Sequence, residues 1–194
     1  TYEAIELLTK QLATEFPDRK VYAVDTLAAS GGQGLLVWHA VQRARAGASI
    51  DEVRDWVEAN KLHLAHWFTV DDLMFLFRGG RVSRTNAWAG TMLNIKPVMH
   101  VDDEGRLIPM EKVRGRKKSL NALVDHMEKT GRAPIGEQMV FITHGDCIED
   151  AEYVAEQVKG RFGVKEVVIN YVDPVIGAHS GPGTMALFFL ANER

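Results

Sequence analysis

Nine consecutive residues hold the chain's most concentrated chemistry: Ile176-Gly177-Ala178-His179-Ser180-Gly181-Pro182-Gly183-Thr184. One imidazole sits among three glycines and a proline. A neutral imidazole offers one donor and one acceptor, so it can touch a ligand's polar group near neutral pH. Glycine admits positive φ and close approach of the backbone. Proline fixes φ and removes a donor. The apolar run 185–190 behind this loop reads as a strand that would hold His179 in place. Two readings stand side by side. His179 contacts a ligand, or the stretch is a tight turn in which His179 caps backbone carbonyls.

A second candidate is Asp25-Thr26-Leu27-Ala28-Ala29-Ser30-Gly31-Gly32-Gln33-Gly34. It follows a short apolar run at residues 21–24, read as a strand, and precedes a helix expected from about residue 35 to 46. A helix N-terminus behind a glycine-rich loop favours anions. Ser30 supplies a hydroxyl, and Gly31, Gly32 and Gly34 bring backbone N–H groups close to a ligand. The plainer alternative makes Ser30 the N-cap and the glycines a close helix-to-strand contact. The spacing is neither G-x-G-x-x-G nor a P-loop.

Other chemistry is thin. His144 with Asp146, or His63 with His66, lacks further partners at a zinc spacing. Ser30 is outside any G-x-S-x-G elbow, and no aspartate is marked as the orienter of His179. Cys147 and His144 form one short-range pair at a strand end. The basic run 112–118 reads as a solvated loop and helix start, because no aromatic interleaves it.

The elements that must position these residues follow from pattern. The chain has 194 residues, 46% hydrophobic and 25% charged, with net charge −3. That is an ordinary globular balance with no electrostatic case for nucleic acid. One cysteine cannot form an internal disulfide, so a reducing cytoplasm fits. No run is long enough for an integral membrane segment. The chain begins at Thr1 inside a helical pattern, which suggests a piece of something longer. Residues 2–16 read as an amphipathic helix. Ser49 and Glu52 have capping-box spacing for a helix to about residue 60. Residues 63–70 read as a strand, and Asp71 or Asp72 caps a short helix stopped by Gly79-Gly80. A helix is expected from Ser83-Arg84-Thr85 through Met92. Residues 95–101 read as a strand whose early proline favours an edge or a strand start. Asp102-Asp103-Glu104-Gly105 signals a hairpin with a return strand at 106–110. A helix at 119–129, a strand at 138–144, a helix at 149–162 and a strand at 164–171 complete the pattern. Strands alternating with helices around a hairpin give an α/β protein with a mixed or largely antiparallel sheet.

Several of these stretches, in this order, resemble the DegV family. Asp25-Thr26…Ser30-x-Gly32-x-Gly34 looks like its D-S/T-x-x-x-S-x-G-x-G signature. Asp72, Leu73, Leu76, Gly79, Gly80 and Arg81 match its D-L-x-x-L-x-x-G-G-R block. Ile95-Lys96-Pro97, Lys112-Val113-Arg114-Gly115 and Gly177-x-His179-x-Gly181-Pro182-Gly183 match its I-K-P, K-x-R-G and G-x-H-x-G-P-G. The match covers essentially the whole chain. Thr1-Tyr2 resembles the end of the family's S-S-x-x-S-G-T-Y segment.

The resemblance implies a two-domain protein. Residues 1–78 would be the back part of a parallel-sheet α/β N-terminal domain, and residues 79–194 a mixed or antiparallel α/β C-terminal domain with flanking helices. It implies a carrier that holds a long-chain fatty acid between its domains and presents the carboxylate to a separate fatty-acid kinase. No catalytic residue, metal or cofactor is expected. The expected ligand-side residues are His179, Ser30, Gly31 and Thr26. Arg81 and Arg114 would bridge the domains or face the kinase. A hydrocarbon tail of ~14 methylenes, at ~0.8 kcal/mol each, gives about 11 kcal/mol of gross driving force. The rival readings are a hydrolase or transferase acting on a small carboxylate or phosphate through Ser30 and His179, and an interaction module with purely structural glycines.

Overall fold

The computed structural model describes residues 1–83 and 94–194. The expected helix through Met92 lies outside the described residues. Seven helices and six strands are formed among those described. The helices are α1 (Tyr2–Glu15), α2 (Ser30–Arg45), α3 (Ile50–Asn60), α4 (Leu73–Arg78), α5 (Arg116–Thr130), α6 (Ile148–Phe162) and α7 (Pro174–Ser180). The strands are β1 (Leu64–Thr69), β2 (Ile95–Val101), β3 (Leu107–Arg114), β4 (Met139–His144), β5 (Glu166–Tyr171) and β6 (Met185–Leu190).

All six strands form one mixed sheet in the order β3-β2-β1-β6-β4-β5. Only β4 and β5 run parallel, joined by the crossover helix α6. The sheet is continuous across residue 78, because β1 pairs with both β2 and β6. Successive strand side chains point to opposite faces, so the register sorts the core into two layers. Ala65, Trp67, Val140, Ile142, Leu187 and Phe189 face one side, where Leu123 and Met127 of α5 and Val154 and Val158 of α6 cover them. Leu64, Phe68, Met99, Ala186 and Phe188 face the other, against Leu35 and Leu36 of α2 and Leu73 and Leu76 of α4. The second layer is the one that matters for the site.

The punctuation residues act as their chemistry dictates. Ser49 and Glu52 form a reciprocal capping box, and the Asp72 carboxylate accepts from the Met74 N–H at 2.8 Å. The Asp102 carboxylate accepts from the Arg106 N–H at 2.8 Å, and Gly105 has φ 77°, which closes the β2–β3 hairpin. Pro97 lies in the half of β2 that β1 leaves unpaired, since that pairing reaches only Met99 and His100.

Three expectations are corrected. Residues 21–24 form no strand: they pair with none of the six described strands, and a strand needs a ladder partner. Tyr22 instead donates to Asp51 and packs under Arg54, at 4.4 Å. Ser30 is not the N-cap of α2. Ala29 holds that place without a side-chain bond, and the glycine stretch is already helical. The His179 stretch is not all loop. Pro174 at the first helical turn and the Asp173 carboxylate, accepting from Val175 and Ile176 N–H groups, start α7. Its C-cap Gly181 at φ 79° then turns the chain into β6.

Candidate functional site

The first turn of α2 lies almost on the sheet. A Cβ on Gly31 would come within 2.9 Å of the Phe188 ring and the Thr143 methyl. One on Gly32 would lie 2.3 Å from His66 Nε2. These glycines are required for closeness to side chains, which is the plainer of the two sequence readings for them. Ser30, with φ 52°, turns its hydroxyl to Thr143 on β4. The two oxygens are 3.0 Å apart.

Beside this contact a cavity of about 250 Å³ opens between the second sheet layer and helices α4 and α7. Its sheet wall is His66, Phe68, Val101, Thr143, Ala186 and Phe188, all from one face of β1, β2, β4 and β6. Leu76, Val172, Val175 and Ile176 supply its helical and loop walls. Ala29, Ser30 and Leu107 also line it. The lining is chiefly hydrocarbon, with polar groups from Ser30, Thr143, Ser180 and Thr184.

Two cationic or titratable side chains, Arg81 and His179, also border the cavity. His179 is half-buried on the last turn of α7. Its ring lies against the C-cap of α4, where a Cβ on Gly79 would be 2.4 Å from Nδ1. Among the described residues nothing hydrogen-bonds to that ring. Arg81 is exposed and donates from Nη1 to the Gly79 carbonyl. One glycine thus seats both groups at the same edge.

His66 behaves differently. It is 3% exposed. Its Nδ1 lies 3.0 Å from the Leu64 carbonyl oxygen, so Nδ1 carries the proton and donates. Nε2 is then a lone-pair acceptor with no partner among the described residues. Burial, reinforced by the Arg194 charge, holds the ring neutral and its pKa down to about 3.

The sequence-predicted residues therefore separate. His179, Ser30 and Arg81 meet at one cavity. Gly31 sits on the far side of the Ser30–Thr143 contact, in a neighbouring cleft. Thr26 is half-buried outside the cavity, its hydroxyl accepting from the Ala28 N–H at 3.3 Å. Arg114 is exposed at the end of β3, opposite Ile95. Sequence reasoning missed His66, Thr143, Val172 and Val175 as lining. The only available signal was alternation, with His66 two residues from Phe68 on the inward face.

The nucleophile options lose support. The Cys147 N–H donates to His144 Nδ1 at 3.1 Å, which occupies the would-be base. The thiol itself faces the Thr184 carbonyl oxygen at 3.3 Å, and burial pushes its pKa up. The Ser30 hydroxyl bonds Thr143, and no carboxylate orients His179 among the described residues. Those residues also contain no cluster of three or more metal-ligating side chains. No helix among them is long and apolar enough to cross a membrane.

Comparison with known proteins places this geometry. A family model described as "Uncharacterised protein, DegV family" matches residues 1–192. A DegV domain-containing protein of Clostridium perfringens is 47% identical over 194 residues, covering all of this chain and 66% of the relative. A fatty-acid-binding DegV protein of Thermus thermophilus is 32% identical, with a TM-score of 0.78 over 92% of this chain and 63% of that one. The Streptococcus pneumoniae Fatty Acid Kinase (Fak) B3 protein loaded with linoleic acid is 21% identical. It superposes with a TM-score of 0.89 over 98% of this chain and 67% of that one, so it shows the same fold. The chain spans 66% of the length of the curated relatives it matches first. The signature glycines, the mixed sheet and the family match over residues 1–192 give one conclusion: the chain belongs to the DegV family.

Proposed function

We propose that this protein is a non-catalytic carrier of a long-chain fatty acid. The observation that carries the reading is the apolar cavity with His179 and Arg81 at one edge. The acyl chain lies along Phe68, Leu76, Ile176, Ala186 and Phe188. The carboxylate lies at the Gly79 edge, where an imidazole N–H and a guanidinium can donate to it. Burial of the tail supplies the affinity, and the polar edge fixes which end is presented. Ser30 contributes wall and hydroxyl. The Thermus protein, described as fatty-acid-binding and 32% identical, supports the ligand class. Presentation of the carboxylate to a fatty-acid kinase is the further part of this proposal. It follows the family resemblance and the name of the pneumococcal protein of the same fold. A carboxylate at an open edge, beside the exposed Arg81, is where a second protein can reach it.

The test is direct. Native mass spectrometry of the full-length protein purified from bacteria should show an added acyl chain. Palmitate or oleate should bind the delipidated protein. The His179→Ala variant should weaken that binding without abolishing it. Absence of any acyl ligand, together with no affinity for either acid, would overturn the proposal. Turnover of a small ester or phosphate that His179→Ala abolishes would favour the hydrolase or transferase reading instead.

A further inference from the structure

The cavity assigned to the acyl chain is too small for it. A protein cavity of about 150 Å³ accommodates benzene, six heavy atoms, or roughly 25 Å³ per atom. By that measure the 250 Å³ here seats about ten heavy atoms. An eighteen-carbon acid has about twenty and needs roughly 500 Å³.

A second cavity of about 300 Å³ lies directly beside the first. The two share only Ser30 and Thr143 among the described residues that line them. Those are the two hydroxyls 3.0 Å apart. The hydrogen bond is thus the partition between the spaces. The floor is continuous beneath it. Val168, Phe141, Phe188 and His66 are consecutive pairing partners across β5, β4, β6 and β1, so all four stand on one sheet face. Beyond the partition the second cavity is lined by Phe141, Val168, Asn170 and Gln33 among others.

We infer that Ser30 and Thr143 form a removable partition that sets acyl-chain length. With the bond closed, the cavity accepts short chains. With it open, the two spaces make one bent channel of about 550 Å³, enough for about twenty-two heavy atoms. The inference rests on the carrier reading and assigns the chain length that the carrier prefers. Opening requires the Ser30 hydroxymethyl group to turn away from Thr143. Ser30 holds φ 52°, a conformation glycine adopts without strain.

The experiment compares octanoate and octadecanoate binding by calorimetry on the delipidated full-length protein. Ser30→Gly removes the partition and suits the local backbone. It should raise the octadecanoate-to-octanoate affinity ratio at least tenfold, since each newly buried methylene contributes about fourfold. Thr143→Val keeps the bulk and removes the bond, and should shift the ratio in the same direction by less. Val168→Trp, added to Ser30→Gly, fills the far cleft at a half-exposed edge position and should return the ratio to the wild-type value. A ratio within twofold of wild type in Ser30→Gly, with both acids still bound, overturns the partition. A gain that survives Val168→Trp overturns the far cleft as the tail's path. Failure of wild type to bind any acid overturns the carrier reading itself, and the channel falls with it.

Discussion

Gly32→Ala tests the closest contact in the structure. The new Cβ would lie 2.3 Å from His66 Nε2 and 2.7 Å from its Cδ2. The ring has no easy retreat. It is 3% exposed, tied to the Leu64 carbonyl, and set edge-on to Phe188 with centroids 5.4 Å apart. Overpacking of this kind costs about 1–3 kcal/mol. Loss of the His66–Leu64 bond adds about 1 kcal/mol. Against this, alanine is better than glycine in a helix by about 1 kcal/mol. The net expectation is a loss of about 1–3 kcal/mol, read as a lower urea midpoint by fluorescence of the four tryptophans. Gly160→Ala on α6 is the control. Nothing lies within 4 Å of its Cβ position, so it should stabilise by about 0.4–1 kcal/mol. A double-mutant cycle of Gly32→Ala with His66→Ala should show coupling of at least about 1 kcal/mol, because removing the ring removes the clash. A Gly32→Ala protein as stable as wild type, or strict additivity in the cycle, would refute the contact.

Further outcomes are expected from the same geometry. His179→Ala should weaken long-chain acid binding by about 1.5–3 kcal/mol, the worth of a hydrogen bond to a charged group, measured by calorimetry. Gly79→Ala should weaken it comparably, since its Cβ would displace the imidazole, and the two changes together should be no worse than either alone. Asp72→Ala removes the side-chain cap of α4 and should cost about 0.5–2 kcal/mol in urea unfolding. For pH, His66 is held to about 3 in the folded protein against 6.5 when exposed. Above pH 6.5 neither state takes the proton. As pH falls from 6.5 towards 3, the unfolded chain binds a proton that the folded one refuses, so stability falls by up to ~1.4 kcal/mol per unit. His66→Gln should flatten that slope between pH 7 and 4.5, and an unchanged slope would show that His66 is not the group responsible.

Local signals were the legible part of the fold. Asp72 with Gly79, Ser49 with Glu52, and Asp102 with Gly105 each satisfy backbone groups within a few residues, so their chemistry is written in short stretches. Residues 21–24 show the limit of such reading. Val21 and Tyr22 have strand propensity, but pairing is a long-range event, and none of the described strands pairs with them. The glycines of α2 were legible as important and ambiguous in purpose. Their reason is the distance to Phe188, Thr143 and His66, which lie 34 or more residues further on. The pairing of His179 with Gly79 was likewise invisible, although both residues were individually conspicuous. Thr143 and His66 read as ordinary strand residues until the register placed them on the cavity face.

β6 has a consequence for how the molecule comes into being. Among the described strands it comes last in sequence, yet it stands inside the sheet, flanked by β1 and β4. Until residues 185–190 have been translated, the hairpin half of the sheet and the parallel half have no strand to join them. Each then exposes an unsatisfied edge. A chain lacking residues 185–190 would therefore leave β1 and β4 as two unpaired edges, and the nascent polypeptide depends on protection of those edges until that strand emerges.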